Sequence, residues 1–269
     1  MSPADLPAYT SASQLSMYSS CPRRYAYRYI ERIEPELRTP GLALGSAVHA
    51  TVEWWFEERA QERLPKRAEV MRMLRADLGA ALAVENLRWG ENTPEKLALE
   101  AEQLVRVFLD HCGDLDAKET EVRFDLIITD PTTGEQMPRP LVGYFDMELG
   151  AGNLVELKTA KRAYSKTELA TNLQFAAYRT AARYFGVDVE LYALVRNKKP
   201  RVQHVVLPHD RDVSRWFMKA ASEIERAISS RQFPPAPGLF CSACEYRRRC
   251  LGVEATDDAD EVSDDAEAA

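Results

Sequence analysis

The chain has 269 residues, of which 45% are hydrophobic and 29% charged; this suits a soluble protein with a sizeable core, and no stretch approaches the ~20 apolar residues of a membrane span. The formal net charge of −7 is uneven: residues 253–269, VEATDDADEVSDDAEAA, hold eight acids and no Lys or Arg, leaving 34 acids against 35 bases in the body. The body can therefore present a basic groove to a polyanion, while the tail reads as disordered and solvated, with too little apolar surface to offset its ordering entropy.

The opening MSPADLPAYTSASQ lacks the basic and apolar regions of a signal peptide, so a cytoplasmic protein with no membrane partner is expected. Residues 1–252 are read as a single domain and 253–269 as its acidic tail. In residues 11–30 a helix is predicted, with Ser11 and Gln14 at capping-box spacing and an aromatic stripe of Leu15, Tyr18, Tyr25 and Tyr29. Pro22 divides it or starts a second turn. Residues 45–61, GSAVHATVEWWFEERAQ, form a second helix carrying His49, and 67–88 and 95–112 two more. In the last of these Leu97, Ala101, Leu104, Phe108 and Cys112 follow the spacing of a buried face.

The period then changes to two. Residues 119–128 and 141–149 read as strands joined by the turn-rich TDPTTGEQMPRP, and GAGN turns the chain into a third strand at LVELKTAK, 154–161. A three-strand meander follows from these turn signals. A long amphipathic helix is predicted over 166–186, ended by Gly186, then two strands flanking KKP, then a helix over 210–232. The fold class is α/β or α+β, a mixed sheet flanked by helices.

Within LVELKTAK, Glu156 and Lys158 are two positions apart and share one face of a strand. Alone, they read as a surface ion pair. Asp146 lies ten residues before Glu156 on the preceding strand, and the GAGN hairpin brings those strands together. Two carboxylates and an amine suit Mg²⁺, which takes hard oxygen ligands and acidifies a bound water. A cross-strand polar pair with a nearby lysine is the alternative on spacing alone.

The run GYFDMEL…VELKTAK resembles the Asp…Glu-x-Lys signature of the PD-(D/E)XK nuclease superfamily, with Phe145 at the nominal proline. GSAVHATVE and QFAAY are similar to two further motifs of its RecB-type exonuclease branch. The resemblance implies a restriction-endonuclease-like fold and Mg²⁺ or Mn²⁺ held by His49, Asp146, Glu156 and the Leu157 backbone carbonyl. It gives Asp146, Glu156 and Lys158 catalytic roles, and makes Gln174 and Tyr178 DNA-positioning or site-ordering residues. Glu121 matches a further acid whose role is left open.

Five cysteines in a cytosolic-looking chain argue against a disulfide framework. CSACEYRRRC places Cys241, Cys244 and Cys250 within ten residues, a cluster that calls for a metal; spacing does not choose between zinc and iron–sulfur. Cys112, on an apolar helix face, reads as a small core hydrophobe. Cys21-Pro22 together with the C-terminal trio is similar to the iron–sulfur subgroup of RecB-type nucleases, which includes AddB-type helicase–nuclease subunits and CRISPR-associated adaptation nucleases. By that resemblance Cys21, Cys241, Cys244 and Cys250 hold a [4Fe–4S] cluster that joins the two ends of the domain.

Basic and aromatic residues flank both cysteine segments: Arg23, Arg24, Tyr25, Tyr27, Arg28, Tyr29, Tyr246, Arg247, Arg248 and Arg249. Such a mixture suits phosphate binding and base stacking on single-stranded nucleic acid; a solvated helix face plus core tyrosines is the bland alternative. The resulting expectation is a metal-dependent DNA exonuclease acting on single strands or frayed ends in recombination or repair. A helicase, or a recombination or adaptation protein, is the expected partner. The alternatives are a CRISPR adaptation nuclease that trims DNA before integration and a non-catalytic DNA-binding or scaffolding subunit.

Overall fold

A computed structural model describes residues 6–35, 38–83, 87, 89–90 and 92–252 of the chain. Helix α1 (Ala12–Ser20) starts where its cap requires, the Ser11 hydroxyl accepting the Gln14 N–H at 3.2 Å. Pro22 occupies the first position of α2 (Pro22–Tyr25), which runs into a π-helical turn, Ala26–Ile30. The helix is thus divided at the proline, one of the two outcomes its position implied. Helix α3 spans Pro40–Ala60 and begins five residues before the expected start. Pro40 pre-sets the first turn, and the weak helix formers Gly41 and Gly45 hide that turn from a propensity reading. Helix α4 is Arg67–Leu82; residues 84–86 and 88 of the expected 67–88 helix, like the acidic tail 253–269, lie outside the described residues. Helix α5 (Pro94–Cys112) buries the face expected of it, Leu97, Ala101, Leu104, Phe108 and Cys112.

Five strands follow: β1 (Ala117–Leu126), β2 (Leu141–Leu149), β3 (Leu154–Ala160), β4 (Val189–Val195) and β5 (Arg201–Leu207). They lie side by side in chain order. The first three form the expected antiparallel meander, β4 runs parallel to β3, and β5 returns antiparallel. The parallel step requires a crossover, supplied by α6 (Lys166–Thr171) and α7 (Leu173–Phe185). One long helix was expected there. Instead, Asn172 is extended and its side-chain oxygen accepts the Gln174 and Phe175 N–H groups at 2.8 and 3.2 Å, restarting the helix. Gly186, in the left-handed region at φ 73°, ends α7.

Alternation along β3 decides what each face receives. Val155 and Leu157 join Tyr192 and Leu194 against α3, α4 and α5. On the opposite face Phe145, Leu154 and Leu191 pack beneath α1, α7 and α8 (Arg211–Ser229), with Phe175 and Phe217 buried between. Phe124 lies over Gly143, where a Cβ would come 2.4 Å from its ring; that space lets the ring meet Tyr178 edge-on at 5.9 Å.

Two features set the position of the site. The β2–β3 ladder is short, registered at Met147↔Val155 and Glu148↔Leu154, whereas β3 pairs with β4 from Leu154↔Val189 through Ala160↔Val195. The strands β2 and β3 therefore part just past Met147. Second, Arg139, ahead of β2, reaches into α8 and donates to both Glu225 carboxylate oxygens at 2.9 and 2.7 Å. Its Nη1 also donates to Tyr25 Oη at 3.3 Å. Glu225 is fully buried and the Arg139 side chain 6% exposed, so this fork ties the N-terminal segment, the β1–β2 connection and α8 together.

Candidate active site

Asp146 stands where β2 and β3 part. Its Oδ2 accepts the Leu157 N–H at 2.6 Å, taking over a backbone rung that the diverging strands leave unmade. Its Oδ1 lies 3.0 Å from His49 Nδ1 on α3. Burial raises the Asp146 carboxyl, but the His49 contact, the Lys158 charge and the Leu157 N–H outweigh it, and the net direction is down. It stays ionised.

Glu156, 2% exposed, is ion-paired through Oε1 with Lys158 Nζ. Burial drives its carboxyl above the usual range, offset in part by Lys158. Burial pulls Lys158 down, and the facing Glu156, Tyr178 and Asp146 oxygens more than restore it, so the ammonium keeps its proton. On α7 the Gln174 side-chain amide donates to Tyr178 Oη at 3.2 Å, and the Tyr178 ring packs on Phe145 at 5.3 Å. Burial, then the Glu156 charge, raises the Tyr178 phenol, which stays protonated. The structure thus brings His49, Asp146, Glu156, Leu157, Lys158, Gln174 and Tyr178 together.

Sequence reasoning left Glu121 open and missed Glu53 and Tyr164. Glu121 lies between the registered pairs Thr120↔Met147 and Val122↔Phe145, hence opposite Asp146, at φ 55°. Glu53 is one helical turn beyond His49; burial, then the charges of Glu121, Glu57 and Asp146, raise its carboxyl. Burial and Asp146 likewise raise Glu121. The signal for Glu53 was the i, i+4 spacing in HATVE. Tyr164, in the loop after β3, feels the charges of Lys158 and Glu156, and its backbone is clamped by reciprocal bonds to the Gln203 amide at 2.8 and 2.9 Å.

The first and last described segments of the chain meet, by contacts other than thiolates. Arg24 pairs with Glu245 at 2.9 Å, Tyr18 Oη donates to the Gln232 carbonyl at 2.6 Å, and Tyr246 Oη to the Ile33 carbonyl at 3.0 Å. The Tyr27 and Tyr246 rings lie 5.4 Å apart, and the Arg23 and Arg249 guanidiniums sit over Tyr27 at 4.7 and 5.9 Å. Arg247, Arg248 and Arg249 begin α9 (Arg247–Leu251). Tyr25 corrects an expectation: it is fully buried against Tyr18, Tyr29 and Phe233, so it serves the core and offers no face to a base. Tyr246 is also fully buried.

Cys21 lies close enough to Cys244 to add to the upward shift that burial gives its thiol, and Cys250 is exposed. Among the described residues, no three His, Cys, Asp or Glu side chains are gathered as a group able to hold a metal ion. The four cysteines therefore do not form the expected cluster-holding pocket in this structure. Cys112 is buried in the core, its thiol pushed up to about 11 by burial, as a small core hydrophobe should be.

A mixed five-stranded sheet flanked by helices, with an aspartate, a Glu-x-Lys pair and a histidine at the parting of two strands, has the architecture of a restriction-endonuclease-like nuclease. The model of the PD-(D/E)XK nuclease superfamily matches residues 9–251, and the chain belongs to that superfamily. Among solved structures, it is similar to a protein from Eubacterium rectale named "putative exonuclease", with a TM-score of 0.56 and 10% identity over 93% of this chain and 90% of that one. A second structure, of SSO0001, has a TM-score of 0.44 and 14% identity over 92% and 88% of the two chains. At these identities the Eubacterium rectale structure speaks for the fold alone. No curated protein matches the chain. Nucleases of this superfamily generally use divalent metals such as Mg²⁺.

Proposed function

We propose that the protein is a divalent-metal-dependent deoxyribonuclease, an exonuclease acting on single strands or frayed ends in DNA recombination or repair. The observation that carries the reading is the convergence, where β2 and β3 part, of Asp146 with His49 and of Glu156 with a protonated Lys158. A merely structural ion pair needs neither the buried second carboxylate nor the imidazole. Trimming of DNA ahead of integration would use the same residues, and substrate preference distinguishes the two roles.

Two carboxylates and an imidazole are by chemistry a donor set suited to Mg²⁺ or Mn²⁺. In this structure they bond to protein groups instead, Asp146 to His49 and the Leu157 N–H and Glu156 to Lys158, so they would turn toward an ion on binding it. Asp146, Glu156, His49 and the Leu157 carbonyl would hold the ion. Such a cation supplies charge that polarises a phosphoryl oxygen and acidifies water. His49 orients the Asp146 carboxylate, and the Leu157 N–H fixes its second oxygen. The Lys158 ammonium donates to the attacking water and offsets charge developing on the phosphate. Gln174 holds the Tyr178 hydroxyl over Glu156, keeping that carboxylate aligned. Arg23, Arg24, Arg247, Arg248 and Arg249 would take phosphates further along the strand.

The iron–sulfur part of the reading rests on the four cysteines, their resemblance to cluster-binding segments and the closeness of Cys21 to Cys244. Its role would be structural, clasping ends that ion pairs and rings already hold, and no catalytic step runs through it. End-labelled single- and double-stranded DNA incubated with protein prepared under anaerobic conditions tests the whole proposal. Mn²⁺- or Mg²⁺-dependent release of short products from single strands or frayed ends supports it. DNA binding without cleavage in either metal would establish a non-catalytic subunit instead.

A further inference from the structure

The stripe Gly41, Gly45, His49, Glu53 runs down one face of α3 at four-residue intervals. Below His49 the stripe is acidic and faces Glu121 and Asp146. Above His49 it borders a cleft of about 580 Å³, whose opposite wall is the end of β3 and the loop after it, with Arg196 at the rim. The cleft opens directly onto His49.

Its walls carry Lys161, Arg162 and Arg196 against one acid, Glu168, which is bound by Arg162. Arg196 is held from several sides. Its N–H donates to the Ala160 carbonyl at 2.8 Å, its Nη1 lies 3.4 Å from Glu100, and its guanidinium rests across α3 where a Cβ on Gly41 would come 3.2 Å from Nη2. The same closeness recurs at Gly45, where a Cβ would lie 3.2 Å from Thr159 Oγ1. Opposite stands the half-buried Tyr164, which feels the charges of the catalytic pair. The cleft thus joins a fixed guanidinium, a lysine and an aromatic ring to the reacting centre.

We propose that this cleft seats the nucleotide next to the scissile phosphate and makes the enzyme selective for single strands, a reading that rests on the nuclease assignment. Arg196 and Lys161 take its phosphate, a role suited to a pre-set guanidinium fork. Tyr164 stacks its base, an interaction indifferent to sequence. The glycines let Arg196 and Thr159 lie against the helix, which fixes that wall of the cleft. The volume falls in the range of pockets that hold small ligands, the scale of one or two nucleotides, and a base stacked on Tyr164 inside it has left its pairing partner, which favours single strands.

The test uses fluorescence anisotropy in Ca²⁺, with fluorescein-labelled oligo-dT and a blunt hairpin duplex as probes. The exposed Ser46 lines the cleft, so Ser46→Trp fills it without touching the core. Ser46→Trp, Arg196→Ala and Tyr164→Ala should each weaken oligo-dT binding about tenfold, the scale of one lost stacking or charged contact. Tyr164→Phe, which keeps the ring, should bind like the wild type. Calorimetric Mn²⁺ affinity should stay the same in all four variants, because none removes a donor atom. If Arg196→Ala melts early, Ser46→Trp and Arg196→Lys decide. Oligo-dT binding by Ser46→Trp and Arg196→Lys equal to wild type would overturn the cleft assignment. Equal wild-type affinity for the hairpin and oligo-dT would overturn its strand selectivity. Failure of the wild type to cleave any DNA with Mn²⁺ would overturn the nuclease assignment instead, a result these binding measurements do not share.

Discussion

Replacing Glu225 by alanine leaves the Arg139 guanidinium in the interior with no anion to answer it. The wild-type pair is a fork at 2.9 and 2.7 Å between a fully buried carboxylate and a guanidinium 6% exposed. Truncating one member of such a pair costs about 3–5 kcal/mol, because the surviving charge stays desolvated. For a chain of this length 1 kcal/mol corresponds to roughly 2–4 °C, so Glu225→Ala should melt about 6–20 °C below the wild type. The double variant Arg139→Met/Glu225→Leu removes both charges and should recover most of that loss, since a well-packed apolar pair is often neutral or stabilising. Tyr25 Oη, 3.3 Å from Nη1, loses a donor in the double variant, which sets a small residual cost of about 1 kcal/mol. Chemical denaturation of wild type, Arg139→Met, Glu225→Leu and the double variant completes the cycle, with Glu225→Ala measured beside it. A loss below ~1 kcal/mol in both single variants would show that water reaches the pair, and would refute the reasoning.

Lys158→Ala should abolish cleavage with Mn²⁺ affinity retained, whereas Asp146→Asn, which keeps an oxygen for the Leu157 N–H, should lose both; near-normal cleavage by the two purified variants would remove the active-site assignment. Anaerobic protein should carry iron that Cys21→Ser abolishes and Cys112→Ser leaves, read from metal analysis and visible absorption; stoichiometric zinc without iron would replace the cluster with a zinc site. Asp130 is held at about 2 by Arg226 and by the Thr132 and Thr133 N–H groups. Because its folded value is depressed from ~3.9, its contribution is complete above that unfolded value and fades as pH falls toward 2. Asp130→Asn should therefore flatten the decline of stability between about pH 4 and 2, and an unchanged acid-unfolding profile would count against the linkage.

Periodicity made the sheet legible: alternating apolar residues in β1 and β2, and the glycine turn before β3, produced the meander that the structure contains. It did not reveal that Asn172 restarts a helix, since α6 and α7 together keep an amphipathic spacing that one long helix would also show. The site was legible where chemistry is local, in the Glu156–Lys158 alternation and the Gln174–Tyr178 turn. Glu53 was hidden because one acid on an amphipathic helix looks like any solvated residue until β1 and β2 bring Glu121 and Asp146 against it. Tyr25 misled for the opposite reason. An aromatic ring between arginines has the composition of a nucleic-acid surface, and only the packing of Tyr18, Phe233 and the Arg139 fork reveals it as interior.

The placement of Asp146 bears on how this protein can change over generations. One carboxylate oxygen completes the sheet where β2 and β3 separate, while the other faces His49. Loss of the aspartate therefore weakens architecture together with chemistry, and selection for a stable chain guards the residue even where cleavage is no longer needed. Lys158 carries no such second duty to the backbone. A lineage drifting toward a DNA-holding role would be expected to surrender the lysine first and to keep aspartate or asparagine at position 146, leaving a retired enzyme that still displays most of its former signature.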